Sequence, residues 1–126
     1  MNSHAGTEEQ LTGSEAFALL LHTMHVSEVR TPPMHLHEAL RRTSEVYPAL
    51  LRPFGFKPPL GTSPELDDAI SQLTRVGIIS WRDGTFRFDT DVLDYTMRAY
   101  TLPQLKPEER EEWHAAAKRF SEELAR

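Results

Sequence analysis

From Ser14 onward, apolar residues return at intervals of three and four, so that Phe17, Leu20, Leu21 and Met24 line one face of a helix predicted over residues 14–25. Ser14 is placed to cap it, and Glu15 supplies negative charge to its first turn. Val26 and Val29 follow in a connector, a short extended segment fitting between Val26 and Thr31, and Pro32-Pro33 stops any helix before it. Pro33 suits a first helical position, and Leu36, Ala39, Leu40, Thr43, Val46 and Tyr47 keep the period of a second helix over 33–47. Leu50, Leu51 and Phe54 prolong the stripe, so the chain either ends its helix at Pro48 or kinks there and runs on for a turn. Prolines and glycines between Pro53 and Pro64 mark a loop.

Thr62-Ser63-Pro64-Glu65 announces the third helix, 63–76, through a capping hydroxyl, a first-turn proline and a glutamate three residues after Thr62. Leu66, Ala69, Ile70, Leu73 and Val76 fall on its inner face, and Gly77 ends it. Two alternating runs, Ile78 to Arg82 and Thr85 to Asp89, then flank Asp83-Gly84. Asp-Gly favours a type I′ turn because both central residues take positive φ there. The two-residue loop pairs Trp81 with Phe86 and Ile79 with Phe88 on a core-facing side. Ser80, Arg82, Thr85 and Arg87 are left on the exposed side.

Thr90 or Asp91 caps a fourth helix with Leu93, Met97 and Tyr100 on one side, ended by Pro103. Lys106-Pro107 opens a last one, whose Trp113, Ala117, Phe120 and Leu124 form an apolar stripe about three turns long. Residues 1–13 have no apolar period and read as a flexible lead-in, 14–102 as the main domain, and 103–126 as a terminal amphipathic helix.

Helix, short strand, helix, loop, helix ending at glycine, tight hairpin: this order resembles the winged-helix variant of the helix-turn-helix. The fold class expected is α+β, mostly helical, with two extra C-terminal helices. A two-stranded hairpin is marginal alone and must lay its apolar side on the helices before it. In that superfamily the helix before the hairpin is often the recognition helix and the hairpin tip the wing.

A narrower resemblance spans Phe17 to about Leu105. Ala18-Leu19-Leu20-Leu21, Gly55-Phe56, Ser63-Pro64-Glu65-Leu66-Asp67-Asp68, Val76-Gly77-Ile78-Ile79, Asp83-Gly84 and Val92-Leu93-Asp94-Tyr95 together are similar to the C-terminal, non-catalytic region of glycerol-3-phosphate acyltransferases. The catalytic His-x-x-x-x-Asp motif of that family has no counterpart here. His114, the one histidine to weigh, is followed by Lys118 and Arg119 where the acid belongs. The resemblance therefore implies an accessory domain without acyltransferase activity.

Composition narrows the chemistry. With 126 residues the chain is long enough for one core without a staple, and with no cysteine it has no disulfide, thiol catalysis or Cys-rich zinc site. No run is long enough for a membrane span and no signal peptide is recognisable, so the expectation is a soluble, cytoplasmic protein without membrane insertion. A net charge of -5, with 9 Lys and Arg against 13 Asp and Glu from Ser63 onward, weakens nucleic-acid binding.

On the third helix, Ser71, Gln72 and Arg75 face outward and could read bases, with Arg82 and Arg87 on the wing. Asp67 and Asp68, however, sit at the end that would meet phosphates. His22, His25 and a third ligand such as Glu28 or His35 could hold zinc, yet no His-Glu-x-x-His motif supports it, and no metal or cofactor is assigned. Asp67-Asp68 and Asp89, Asp91 and Asp94 are explained by capping and helix-start solvation, so no enzyme activity is assigned.

The leading expectation is a non-enzymatic interaction or regulatory module binding a protein partner, or a second copy of itself, through Trp113, Ala117, Phe120 and Leu124; the alternative for this stripe is that it folds back on the chain's own core. The runner-up is a dimeric DNA-binding regulator using Ser71, Gln72, Arg75, Arg82 and Arg87.

Overall fold

The computed structural model describes residues 11–56 and 63–126. They form an α+β, mostly helical domain: α1 (Gly13–Met24), β1 (Glu28–Arg30), α2 (Pro33–Val46), a 3-10 turn (Arg52–Phe54), α3 (Pro64–Arg75), β2 (Ile79–Arg82), β3 (Thr85–Phe88), α4 (Thr90–Thr96) and α5 (Pro107–Leu124). A π turn, Met97–Thr101, and a 3-10 turn, Leu102–Gln104, join α4 to α5. Thr62 and the rest of the loop over 57–62 lie outside the described residues, as do residues 1–10.

The cap of α1 is Thr12 and not Ser14. The Thr12 hydroxyl accepts from the Glu15 amide at 3.1 Å, and the Glu15 carboxylate accepts from the Thr12 amide at 2.9 Å, a reciprocal capping box. Leu11 is buried as well, so the folded region begins before Ser14 and the expected lead-in is too long. Ala16 through Leu21 are six consecutive buried residues, more than a full turn. A helix buried on all sides is central, and α1 packs against α3, α4, the π turn and α5. Of the two fates open to the terminal helix, packing on its own core or on a partner, the structure shows the first.

The extended segment before Thr31 forms as β1. It pairs antiparallel with β3, Val29 opposite Phe86 and Arg30 opposite Thr85, so the sheet order is β1-β3-β2. The hairpin takes the expected register, Trp81 opposite Phe86 and Ile79 opposite Phe88, with positive φ at Asp83 (53°) and Gly84 (73°). Phe86 is 1% exposed and sits edge-on to Trp81 at 5.0 Å and to Phe17 at 5.9 Å, while Phe17 meets Phe54 at 6.5 Å. One run of aromatic contacts therefore fastens the sheet to α1 and the 3-10 turn.

Other local expectations are decided by the packing around them. Thr85 is buried, not exposed, because β3 is flanked on both sides and the Thr31 amide bonds the neighbouring Gly84 carbonyl. Val76 is exposed, because α3 stops at Arg75 and Val76 turns away as its C-cap. Of the two courses open to the second helix, the structure takes the shorter: it ends at Val46 with Tyr47 as C-cap, before Pro48. Ser63 caps α3, its hydroxyl accepting from the Leu66 amide at 3.0 Å and donating to the Phe54 carbonyl.

A further correction concerns Tyr100. Continued α-helix would place it inward with Leu93 and Met97, but the π turn inserts one extra residue. Thr101 takes the inward place, 1% exposed, and Tyr100 is turned out, 63% exposed.

Candidate interaction surfaces

The terminal stripe is consumed within the chain. Trp113, Ala117 and Phe120 are buried and Leu124 is half-buried, all against the body formed by α1 and α2. The free end of α5 is clamped by polar contacts. Glu123, 2% exposed, faces the guanidiniums of Arg119 (3.0 Å), Arg126 (3.3 Å) and Arg42 of α2 (3.8 Å). His35 Nε2 donates to the Leu124 carbonyl at 2.9 Å. Residues 113, 117, 120 and 124 therefore offer no open face to a partner or a second copy. The spacing showed an apolar stripe and could not show which chain covers it.

On α3, Ser71, Gln72 and Arg75 are exposed, as expected of an outward face. Two of its polar side chains are engaged. The Ser14 hydroxyl donates to the Gln72 side-chain carbonyl, which ties Gln72 to the start of α1. Asp67 accepts from His37 Nε2 at 2.8 Å, and His37 Nδ1 accepts from the Ser63 amide at 3.1 Å. The amide can only donate, so the proton of this buried imidazole sits on Nε2. With Glu65, Asp67 and Asp68 in its first turns, the N-terminal end of α3 is acidic.

The outer side of the sheet is the opposite case. Arg82 and Arg87 project there, and β1 adds Arg30, which sequence reasoning did not single out. Arg30 and Arg82 flank Thr85, two strand spacings or about 10 Å apart. Arg87 pairs with Glu28 at 3.3 Å, whereas Arg30, Arg82 and Arg75 have no ion pair among the described residues. The alternation Glu28-Val29-Arg30 was the available signal, and it became meaningful only once β1 had a strand to pair with.

The histidines do not converge as metal ligands. His22 Nε2 donates to Asp94 at 2.9 Å, His35 is held by Leu124, and no group of three His, Asp or Glu suited to an ion occurs among the described residues. Asp94 also receives Arg98 at 2.9 Å. The His22 hydrogen bond and then the Arg98 hydrogen bond hold its carboxyl below the usual range. Asp89, and not Thr90 or Asp91 as expected, caps α4: its carboxylate accepts from the Asp91 and Val92 amides, and Thr90 and Asp91 already lie in the first turn.

Around the π turn, Tyr95 is 67% exposed, Tyr100 63% and Val92 42%. Asp91, also exposed, lies one helical turn before Tyr95. No other short stretch of the described residues exposes two aromatic rings. The local reason is the same extra residue that turns Tyr100 outward, and nothing in the one-dimensional pattern announced it. No helix among the described residues is long and apolar enough to cross a membrane. Compared with family models, curated proteins and solved structures, the chain matches none.

Proposed function

We propose that the chain is a non-enzymatic winged-helix module that binds a protein partner, and that the partner docks on the tyrosine-bearing face of α4 and the π turn. The order helix, strand, helix, helix, hairpin, with the first strand against the last, supports the winged-helix assignment. The observation that carries the functional reading is the exposure of Tyr95 and Tyr100 on one short segment while the longer apolar stripe of α5 is covered. Tyrosines are common anchors of protein interfaces because each ring offers a large contact area at low entropic cost and a hydroxyl for the rim. The exposed Asp91, one turn before Tyr95, bears on the partner's chemistry: apolar side chains to cover the rings, and a Lys or Arg to meet the carboxylate and stack on Tyr95.

A second reading, duplex DNA held by α3 and the wing, is favoured by one observation, the Arg30, Arg82 and Arg87 side of the sheet. Against it stand the acidic start of α3 and the engagement of Gln72 by Ser14.

Titration of fluorescent duplex DNA at about 50 mM salt, where phosphate contacts are strong, separates the two. The expected outcome is no saturable binding. Binding with a steep salt slope that Arg30→Ala and Arg82→Ala reduce would replace the first reading with the second. Affinity capture from the producing cells supplies the other arm. Tyr95→Ala/Tyr100→Ala should lose a protein that Arg82→Ala/Arg87→Ala retains, and retention by both variants would overturn the tyrosine face. An acyltransferase among the lost proteins would extend the resemblance of residues 17–105 to an accessory region.

A further inference from the structure

The geometry points to a binding site for a small amphiphilic organic anion, of the size of an aromatic carboxylate, between the end of α1 and the start of α5. A cavity of about 180 Å³ opens there. Its apolar side is Leu19, Leu102, Leu105 and Trp113, of which Leu19, Leu105 and Trp113 are buried. Its polar side is His22, Thr23, His25, Arg110 and His114. Three histidines, Arg110 and Thr23, and no carboxylate, make the polar lining of this small cavity, so its polar side offers hydrogen-bond donors and one fixed positive charge. The complementary ligand carries negative charge at one end and an apolar body at the other. An apolar cavity of about 150 Å³ holds a benzene ring, so the body that fits here is of that order.

The polar groups are not equally free. His22 is held by Asp94, and Arg110 donates to the Leu102 carbonyl at 2.7 Å. His25 and His114 make no side-chain hydrogen bond among the described residues and are the groups left to receive an anion. His25 is also in the left-handed region, φ 58°, at the C-cap of α1, where glycine would sit without steric penalty. The other non-glycine residue there, Asp83, is explained by its turn. An adjoining cavity of about 430 Å³ shares His22 and His25, but its wall includes the carboxylates of Asp91 and Asp94, which would repel an anion.

The test uses the full chain and sodium benzoate, with benzamide and inorganic phosphate as controls, read by NMR shifts of the histidine rings and the Trp113 indole. Benzoate should give saturable shifts at His25, His114 and Trp113, with affinity near the millimolar level expected of so small a ligand. Benzamide and phosphate should each bind more weakly by on the order of tenfold or more, because each lacks one half of the recognition. His25→Gly should weaken benzoate by a similar factor while leaving Tm unchanged or raised, which a purely structural role for His25 would not produce. His114→Gln, at an exposed position, should weaken it without loss of fold. Absence of saturation, equal binding of either control, or undiminished affinity in both variants would each overturn the site.

Discussion

Two apolar segments of this chain have opposite fates. The stripe of α5, from Trp113 to Leu124, has the stronger helical period, and it is covered by α1 and α2 of its own chain. The segment from Val92 to Tyr100 has a weaker period and leaves two tyrosine rings and a valine in solvent. Apolar periodicity therefore marks a surface that must be covered and does not say by what. Polar closure decides the first case: Glu123 with its three guanidiniums and His35 on the Leu124 carbonyl secure the end of α5. A register change decides the second, where the π turn moves Tyr100 from the core side to the outside.

The comparison breaks most sharply on stability. Phe120→Ala empties a site 0% exposed and should cost about 3–5 kcal/mol by urea unfolding. A loss below about 1 kcal/mol would mean that α5 does not close the core. His37→Ala leaves the Ser63 amide without its acceptor in a buried place and should cost about 1–3 kcal/mol. Gly84→Ala meets no atom within 4 Å, yet forces a Cβ onto φ 73°, so thermal unfolding should report a loss of about 1–2 kcal/mol from backbone strain alone.

A smaller effect is tied to pH. Hydrogen bonds from Arg41, then Arg42, lower the Glu38 carboxyl from 4.5 to about 2. The unfolded chain takes up the proton first, so this carboxylate adds stability above pH 4.5, and that stability is lost as pH falls from 4.5 towards 2. Glu38 is well solvated and its partners lie on the same helix, so the gain at neutral pH is a few tenths of a kcal/mol. Glu38→Gln should flatten the acid limb of the pH–stability curve and change little at pH 7. Smallest of all, Tyr95→Ala and Tyr100→Ala should each stay within about 0.5 kcal/mol of the parent, since neither ring is covered.

What the sequence made legible follows the range of the interactions involved. The hairpin register and the end of α3 at Gly77 are set by neighbours a few residues apart, and those expectations match the structure, whereas the cap of α4 falls one residue earlier than expected, on Asp89. Ala16 and Ala18 are buried outside the predicted stripe because α1 is packed between α3 and α5, the latter about a hundred residues away, and a one-sided stripe could not reveal it. Arg30 became part of the sheet's basic side only through pairing with β3. The His22–Asp94 and His37–Ser63 bonds join residues 72 and 26 positions apart, so those histidines looked like free side chains. Tyr100 was misplaced for a different reason: a single extra residue in one turn carries no signature in hydrophobic spacing.

Photo-crosslinking in the producing cells tests the tyrosine face most directly, with the same photoreactive phenylalanine analogue placed at Tyr95 in one variant and at Arg82 in another. The account predicts a discrete protein adduct from position 95, abolished by Tyr100→Ala, and no adduct from position 82. Nucleic acid attached at position 82, with nothing attached at position 95, would contradict it.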